Sequence, residues 1–264
     1  MRTRVRLVQQ LEAHLALAFP GAIGLFAKSD SDIARAFLTR FPSAVEAGWL
    51  TPRRFEAWLA RRGYGGRRSG AELHARLIAA PAGVSGDEAS ALATITLGYV
   101  GAIAAVREQI KHLEAAIAEQ LAAHPDGAIF TSLPRSGTVR AATLLAEIGD
   151  CRERFPTPEA LACLAGAAPS TRQSGQHRAV TFRYACDKKL RDAVIDFAAG
   201  SRFANTWAAD TYGRAIGRGK RHPHAVRILA RSWIGVIWRC WQDRVPYDPE
   251  RHGELRSEAS PRAA

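Results

Sequence analysis

Apolar residues recur every three or four positions along most of the chain, which is the period of helices that bury one face. Strand-like alternation occurs once, at Val180, Phe182 and Tyr184, and predicts at most a short hairpin around 179–184. The fold class is therefore predicted to be mainly α. The helical segments are 2–19, one capped by Ser29 or Ser31, one opened by Thr51 and Pro52, 87–123, 188–203 and 224–241.

The segment 87–123 predicts one long helix with a coiled-coil seam. Its front half, 89–106, is uncharged and long enough to span a bilayer, but it shares one phase with a charged rear half. A membrane span does not need that continuity, so a coiled coil or helical hairpin is favoured. The seam can close on another copy of the chain or on the N-terminal helices. Its residues, spaced alternately by four and three, are Tyr99, Ile103, Val106, Ile110, Leu113 and Ile117.

Charge is concentrated in the second half. The chain of 264 residues has a net charge of +12. Residues 1–130 hold 15 basic and 12 acidic residues, whereas 131–264 hold 22 and 13, a net +9. Such a half attracts a polyanion, most commonly nucleic acid, although a solvated arginine-rich surface is the alternative. The four cysteines have no paired spacing, so we expect no disulfide framework and no metal site in this chain.

A candidate nucleophile lies in the stretch 161–191. Ser174 ends a polar, Gly-flanked turn, and between Arg172 and Arg191 there are six basic residues and one acid, Asp187. Guanidinium groups can hold phosphate oxygens while a hydroxyl attacks phosphorus, so this combination suits chemistry on a phosphodiester. Ser170 is the other hydroxyl of the turn. His177 is the nearby candidate general base, although a lone histidine beside a loop more often has no catalytic role.

The run SLPRSGTVRAATLLAEIGD is typical of a helix-hairpin-helix, in which a glycine-bearing turn presents backbone N–H groups to a phosphate. Its turn is Pro134, Arg135, Ser136 and Gly137 in place of the usual P-G-x-G. Arginine at the first glycine position disfavours a positive φ and close backbone approach, while its charge compensates in part. A plain turn between two core helices is the alternative.

Several blocks between Ile129 and Asp248 occur together in one order. They are SLPRSGTVRAATLLAEIGD, ERFPTPEALACLAGAAPSTRQSG, KKLRDAVIDFAA, GRGKRHPHAVRILARSW and VPYDP. This half of the chain resembles the C-terminal transposase domain of the insertion sequence 110/116/902 family, the bridge-RNA-guided DEDD recombinases. The resemblance implies DNA transposition by serine-mediated strand exchange and selects Ser174 over Ser170 as the nucleophile.

The resemblance also implies a RuvC-like domain whose four acidic residues bind divalent metal. The N-terminal half shows no alternating strand and helix pattern, so we expect a truncated transposase that binds no cofactor itself and receives Mg²⁺ only through such a domain supplied elsewhere. The implied partners are DNA, bridge RNA, and further copies or an intact transposase subunit, in the cytoplasm at the nucleoid and without a membrane. The alternative is a non-catalytic DNA- or RNA-binding and oligomerisation module, or a decayed remnant.

Four regions are expected: a helical linker region at 1–86, a coiled-coil helix at 87–124, the transposase domain at 125–250 and a flexible tail at 251–264. Ser174 is the predicted catalytic residue. The residues predicted to contact nucleic acid are Arg135, Gly137, Thr138, Arg172, Arg178, Arg183, Lys188, Lys189, Arg191, Lys220 and Arg221.

Overall fold

The computed structural model describes residues 2–175, 177–250 and 252. The chain forms two compact units, Met1–His112 and Leu113–Ala264. Both units are built from helices, and the described residues contain one short antiparallel hairpin. This confirms the mainly α fold class. The expected four-region division stays a prediction.

The first unit is a helical cluster whose short helices begin at side-chain caps. Ser31, Thr51 and Ser69 each accept a hydrogen bond from a backbone N–H of the first helical turn, which satisfies donors that the helix itself leaves unpaired. The helices are α1 (Arg2–Ala18), α2 (Asp32–Arg40), α3 (Ala44–Ala47), α4 (Pro52–Ala60), α5 (Gly70–Ala79) and the front of α6 (Asp87–Ala123).

An aromatic cluster forms the core of this unit. Phe37 is buried at its centre, with its ring against those of Phe41, Phe55 and Trp58. Large planar side chains bury much apolar area per residue, which allows short helices to share a stable core. The ends of the helices are therefore fixed by polar caps, and their relative positions by aromatic packing.

The burial of the seam residues changes along the long helix α6. Ile103 is buried in the first unit's core with Leu11 and Leu15, and the centre of the Tyr99 ring lies 5.7 Å from that of the His14 ring in α1, so the front of the seam closes on the chain's own N-terminal helix. Farther along, Leu113 is 62% exposed. By length and composition α6 could cross a membrane, but the core helix of a soluble protein can have the same length and composition.

In the second unit, helices pack around the central helix α12. Trp233 and Trp241 are fully buried, and the indole N–H of Trp233 donates to the Ser201 hydroxyl at 2.8 Å. Its elements are α7 (Gly127–Thr131), α8 (Gly137–Ile148), α9 (Pro158–Leu164), β1 (Ser170–Ser174), β2 (His177–Thr181), α10 (Lys188–Ser201), α11 (Thr206–Gly217) and α12 (His222–Asp243).

The hairpin lies earlier in the chain than the sequence pattern predicts. The polar stretch 170–174, expected to be a turn, is strand β1, and β2 ends at Thr181. The apolar alternation was misleading because Phe182 leaves the strand and packs beneath two guanidinium groups, those of Arg191 and Arg227. Backbone pairing across a tight turn therefore decided the strand positions.

Candidate functional site

Ser174 lies at the tip of the β1–β2 hairpin. The strands pair in the register Ser170↔Thr181 at the base and Ser174↔His177 at the tip. Gly175 follows Ser174 with a φ of 55°, the left-handed conformation that glycine adopts without steric cost. The tight turn thus presents the Ser174 hydroxyl at an exposed position rather than in the core.

Three polar side chains share one face of this hairpin. Residues two apart in a strand point to the same side, and directly paired residues do so across the strands. Arg172, Ser174 and His177 therefore lie on one face, and all three are exposed. Within the described part of the chain, Arg172 has no acidic partner. A hydroxyl can attack a phosphodiester, an imidazole can accept its proton and a guanidinium can hold a phosphate oxygen.

A divalent metal does not fit the hairpin's own side chains. No carboxylate occurs between Glu159 and Asp187 in the sequence, and Mg²⁺ prefers carboxylate oxygens. Elsewhere, the ligand atoms of His124, Asp126 and Asp150 lie within 4.8 Å of one another. Protein partners already engage that group, since Arg152 binds Asp126 at 2.6 Å and the His124 ring contacts Asp150 at 3.2 Å.

The segment after the hairpin is held by arginines that donate to backbone carbonyls. The Arg183 guanidinium donates to the carbonyls of Ala168 and Pro169, both at 3.3 Å. Arg191 donates to the Arg183 carbonyl at 2.7 Å and also contacts the Cys186 sulfur. Both arginines thus have structural contacts, and their contact with nucleic acid stays a prediction.

Other predicted contact residues are more accessible. Lys188 and Lys189 are exposed at the start of α10, next to the cap Asp187, and Lys220 and Arg221 are exposed between α11 and α12. The side chain of Arg178 lies outside the described part of the structure. The hairpin and the start of α10 are contiguous in sequence, whereas Lys220 and Arg221 belong to another connection.

The predicted helix-hairpin-helix turn has two residues in the left-handed backbone conformation. Arg135 has a φ of 56° and Gly137 a φ of 62°. The Arg135 carbonyl accepts a hydrogen bond of 2.7 Å from Arg140, which in turn pairs with Asp196 at 2.7 Å. Arginine thus occupies a left-handed position where glycine is usual, at a cost of about 1–2 kcal/mol.

An open cleft of about 680 Å³ lies at the start of α8. Arg135, Gly137 and Thr138 line it together with Ser136. The Ser136 hydroxyl is buried and has no hydrogen-bond partner among the described residues. No described side chain caps α8, so its first N–H groups are donors available to an anion. The carboxylates of Glu114 and Asp196 line the same cleft, and Asp196 is paired with Arg140.

Sequence reasoning missed several residues near these sites. Ser136 was treated only as part of a turn, although its place directly before a helix was a signal for a donor at the helix start. The sequence pattern predicts Phe182 in a strand, and it assigns Arg227 and Arg231 only to the predicted helix 224–241. The spacing of four residues between the two arginines, which places both on one face of α12, was the available signal.

The α8 turn and the hairpin both lie within residues 127–213, which match the family model described as Transposase IS116/IS110/IS902 family. This segment is an IS116/IS110/IS902 family transposase domain. The match includes Ser174 and the start of α8, and it confirms the resemblance stated from the sequence blocks. The transposase domain lies entirely within the second compact unit.

The chain is similar to proteins of three mobile elements. A Streptomyces coelicolor mini-circle protein described as a transposase for IS117 is 29% identical over 94% of this chain and 61% of its own length. An IS110 protein of 43.6 kDa from the same organism is 36% identical over 55% of this chain and 36% of its own length. An IS900 protein of 42 kDa from Mycobacterium paratuberculosis is 31% identical over 60% of this chain and 40% of its own length. The chain thus spans about 61% or less of the length of these relatives.

Proposed function

We propose that this chain takes part in DNA transposition and that Ser174 is the nucleophile of strand exchange. The observation that carries the proposal is the hairpin face that presents Ser174, His177 and Arg172 together. In the reaction, the Ser174 oxygen forms a bond to the scissile phosphorus as the bond to one flanking deoxyribose oxygen breaks. The serine proton leaves, and the released deoxyribose oxygen gains a proton. The resulting phosphodiester conserves the energy needed for rejoining.

The chain's own residues supply part of this chemistry. Arg172 would hold a phosphate oxygen through its planar donor fork, and His177 would accept the serine proton. The hairpin holds no carboxylate for a metal, so the Mg²⁺-binding acidic groups would come from a RuvC-like domain outside these residues. We infer no step of the reaction through that metal.

Binding of DNA would use two surfaces of the transposase domain. The backbone N–H groups at the start of α8 would bind a backbone phosphate without reading sequence. Lys188 and Lys189, exposed at the start of α10, would add salt-sensitive attraction. A bridge RNA is a further proposed partner, and the proposed setting is the cytoplasm, at the nucleoid.

Self-association would use the rear of α6. Leu113 is exposed there, and Val106, Ile110 and Ile117 on the same seam are only half-buried. An apolar seam of this kind is stabilised when a second helix covers it. We therefore propose that a second copy, or a longer transposase subunit, pairs along this part of α6.

A covalent-trapping assay tests the nucleophile. Purified chain is incubated with nicked junction DNA, Mg²⁺ and candidate guide RNA, with and without a longer family member. We expect a denaturation-resistant adduct that Ser174→Ala abolishes. Ser170→Ala is the matched control, because it removes a hydroxyl from the same face of the same strand. An adduct that persists in Ser174→Ala would refute the assignment.

The absence of carboxylates from the hairpin favours a second candidate, a non-catalytic DNA- or RNA-binding and oligomerisation module. It predicts salt-sensitive binding that falls on charge removal at Lys188 and Lys189 but is unchanged by Ser174→Ala. Binding without any adduct, even with the longer family member present, would select this candidate. A chain that binds no nucleic acid at low salt would support a decayed remnant.

A further inference from the structure

A basic groove of about 470 Å³ runs between the base of the hairpin and α12. Thr181, Phe182 and Arg183 line one side, and residues of α12 line the other. The residues of α12 that carry polar groups into it include His224, Arg227 and Arg231. Apart from Arg183, none of these was among the predicted contact residues.

Phe182 holds an arginine in position in this groove. The Arg227 guanidinium carbon lies 4.9 Å from the centre of the Phe182 ring, and that of Arg191 lies 4.8 Å from it. Cation–π contacts of this kind orient a guanidinium without using its N–H donors. Among the described residues, Arg227 has no carboxylate partner and no hydrogen-bond acceptor. It is therefore positioned with its donors available.

The neighbouring charges make the groove attractive to an anion. Arg183 uses part of its donor set on backbone carbonyls, which leaves its charge uncompensated. Arg231 is paired with Glu159 at 2.9 Å, the one acid that contacts these arginines in the described part of the chain. His224 is exposed in the first turn of α12, a helix start that no described side chain caps. Three arginines against one acid give the groove a positive net charge without any contribution from His224.

We propose that this groove binds a backbone phosphate of the DNA strand that carries the scissile phosphate, with Arg227 as its main donor. The proposal rests on the proposed function, because it takes Ser174 as the site of attack. From the groove end of β2 to the hairpin tip there are four residue steps, or about 14 Å. The bound phosphate therefore lies on the same strand, a few nucleotides from the scissile one.

Phosphate neutralisation tests this assignment. Single methylphosphonates, which remove one backbone charge, are placed in turn along the junction strand, and binding of the full chain is measured. Wild type should lose affinity for one substitution a few nucleotides from the junction, while Arg227→Ala should be insensitive there. On unmodified DNA, Arg227→Ala should bind about tenfold more weakly at 0.1 M salt, with a salt slope lower by about one.

Two controls separate folding and general charge effects from groove binding. Arg239→Ala removes one charge from the same helix, at a residue that is 73% exposed and paired with Asp243; it should leave affinity nearly unchanged. Arg227→Lys keeps the charge without the fork and should recover part of the affinity. If wild type binds DNA and the affinity of Arg227→Ala equals that of Arg239→Ala, the groove assignment is wrong and the proposed function stands. The same conclusion follows if Arg227→Ala and wild type lose affinity at the same methylphosphonate. If wild type binds no DNA, the groove assignment and the proposed function both fail.

Discussion

Ser174 and His177 face each other across the tip of the hairpin as a directly paired couple of the two strands. Paired residues of an antiparallel ladder have their Cβ atoms about 5 Å apart, within reach of a hydrogen bond between a hydroxyl and an imidazole. The pairing depends on the turn at Gly175, since a one-residue slip in register would turn the two side chains to opposite faces.

We expect His177→Ala to reduce the rate of adduct formation by about 10²–10³-fold if the imidazole accepts the serine proton. The measurement is the time course of covalent trapping in the wild type and in the variant. An unchanged rate in His177→Ala would show that another group accepts the proton.

Arg135→Gly should stabilise the second unit by about 1 kcal/mol, because glycine removes the steric cost of the left-handed backbone at φ 56°. The same change should weaken DNA binding, since it removes a cation from the cleft at α8. Arg135→Ala keeps the strained backbone and removes the charge, so it should lose affinity without gaining stability. Urea denaturation and a binding titration on all three proteins measure the two effects separately. A less stable glycine variant would contradict this explanation.

The Asp187 side chain should stabilise the start of α10 as an N-cap and weaken DNA binding through its negative charge. Substitutions can separate these two effects. Its carboxylate accepts hydrogen bonds from the backbone N–H groups of Lys189 and Leu190 at 2.9 and 3.1 Å. Asp187→Ala should cost about 1 kcal/mol of stability through loss of this N-cap. Asp187→Asn should keep the cap and bind DNA more tightly at low salt, because it removes a negative charge next to Lys188. Thermal unfolding and salt-dependent binding check the pair, and equal stability of the two variants would refute the capping role.

The buried hydrogen bond between Trp233 and Ser201 should contribute to folding. Ser201→Ala leaves the indole N–H unpaired in a dry environment, which should destabilise the second unit by about 1–3 kcal/mol. Ser201→Thr keeps an acceptor and adds one methyl group, and it serves as the comparison. Chemical denaturation measures both, and a neutral Ser201→Ala would show that the N–H finds another partner.

The amino-acid sequence by itself determined the helices. Their apolar period and the local caps at Ser31 and Thr51 are interactions between residues close in sequence, and the structure forms them where the pattern predicts. The ordered sequence blocks of the second half likewise identified the transposase domain before its geometry was known.

Only the tertiary structure decided the geometry of the site. The pairing of Ser174 with His177 follows from strand register across a tight turn, and the positive φ of Arg135 occurs in the turn that joins the packed helices α7 and α8. The groove exists because Phe182 leaves its strand to lie beneath Arg227, 45 positions farther along the chain. A contact at that separation depends on how the hairpin packs on α12, which no local pattern specifies.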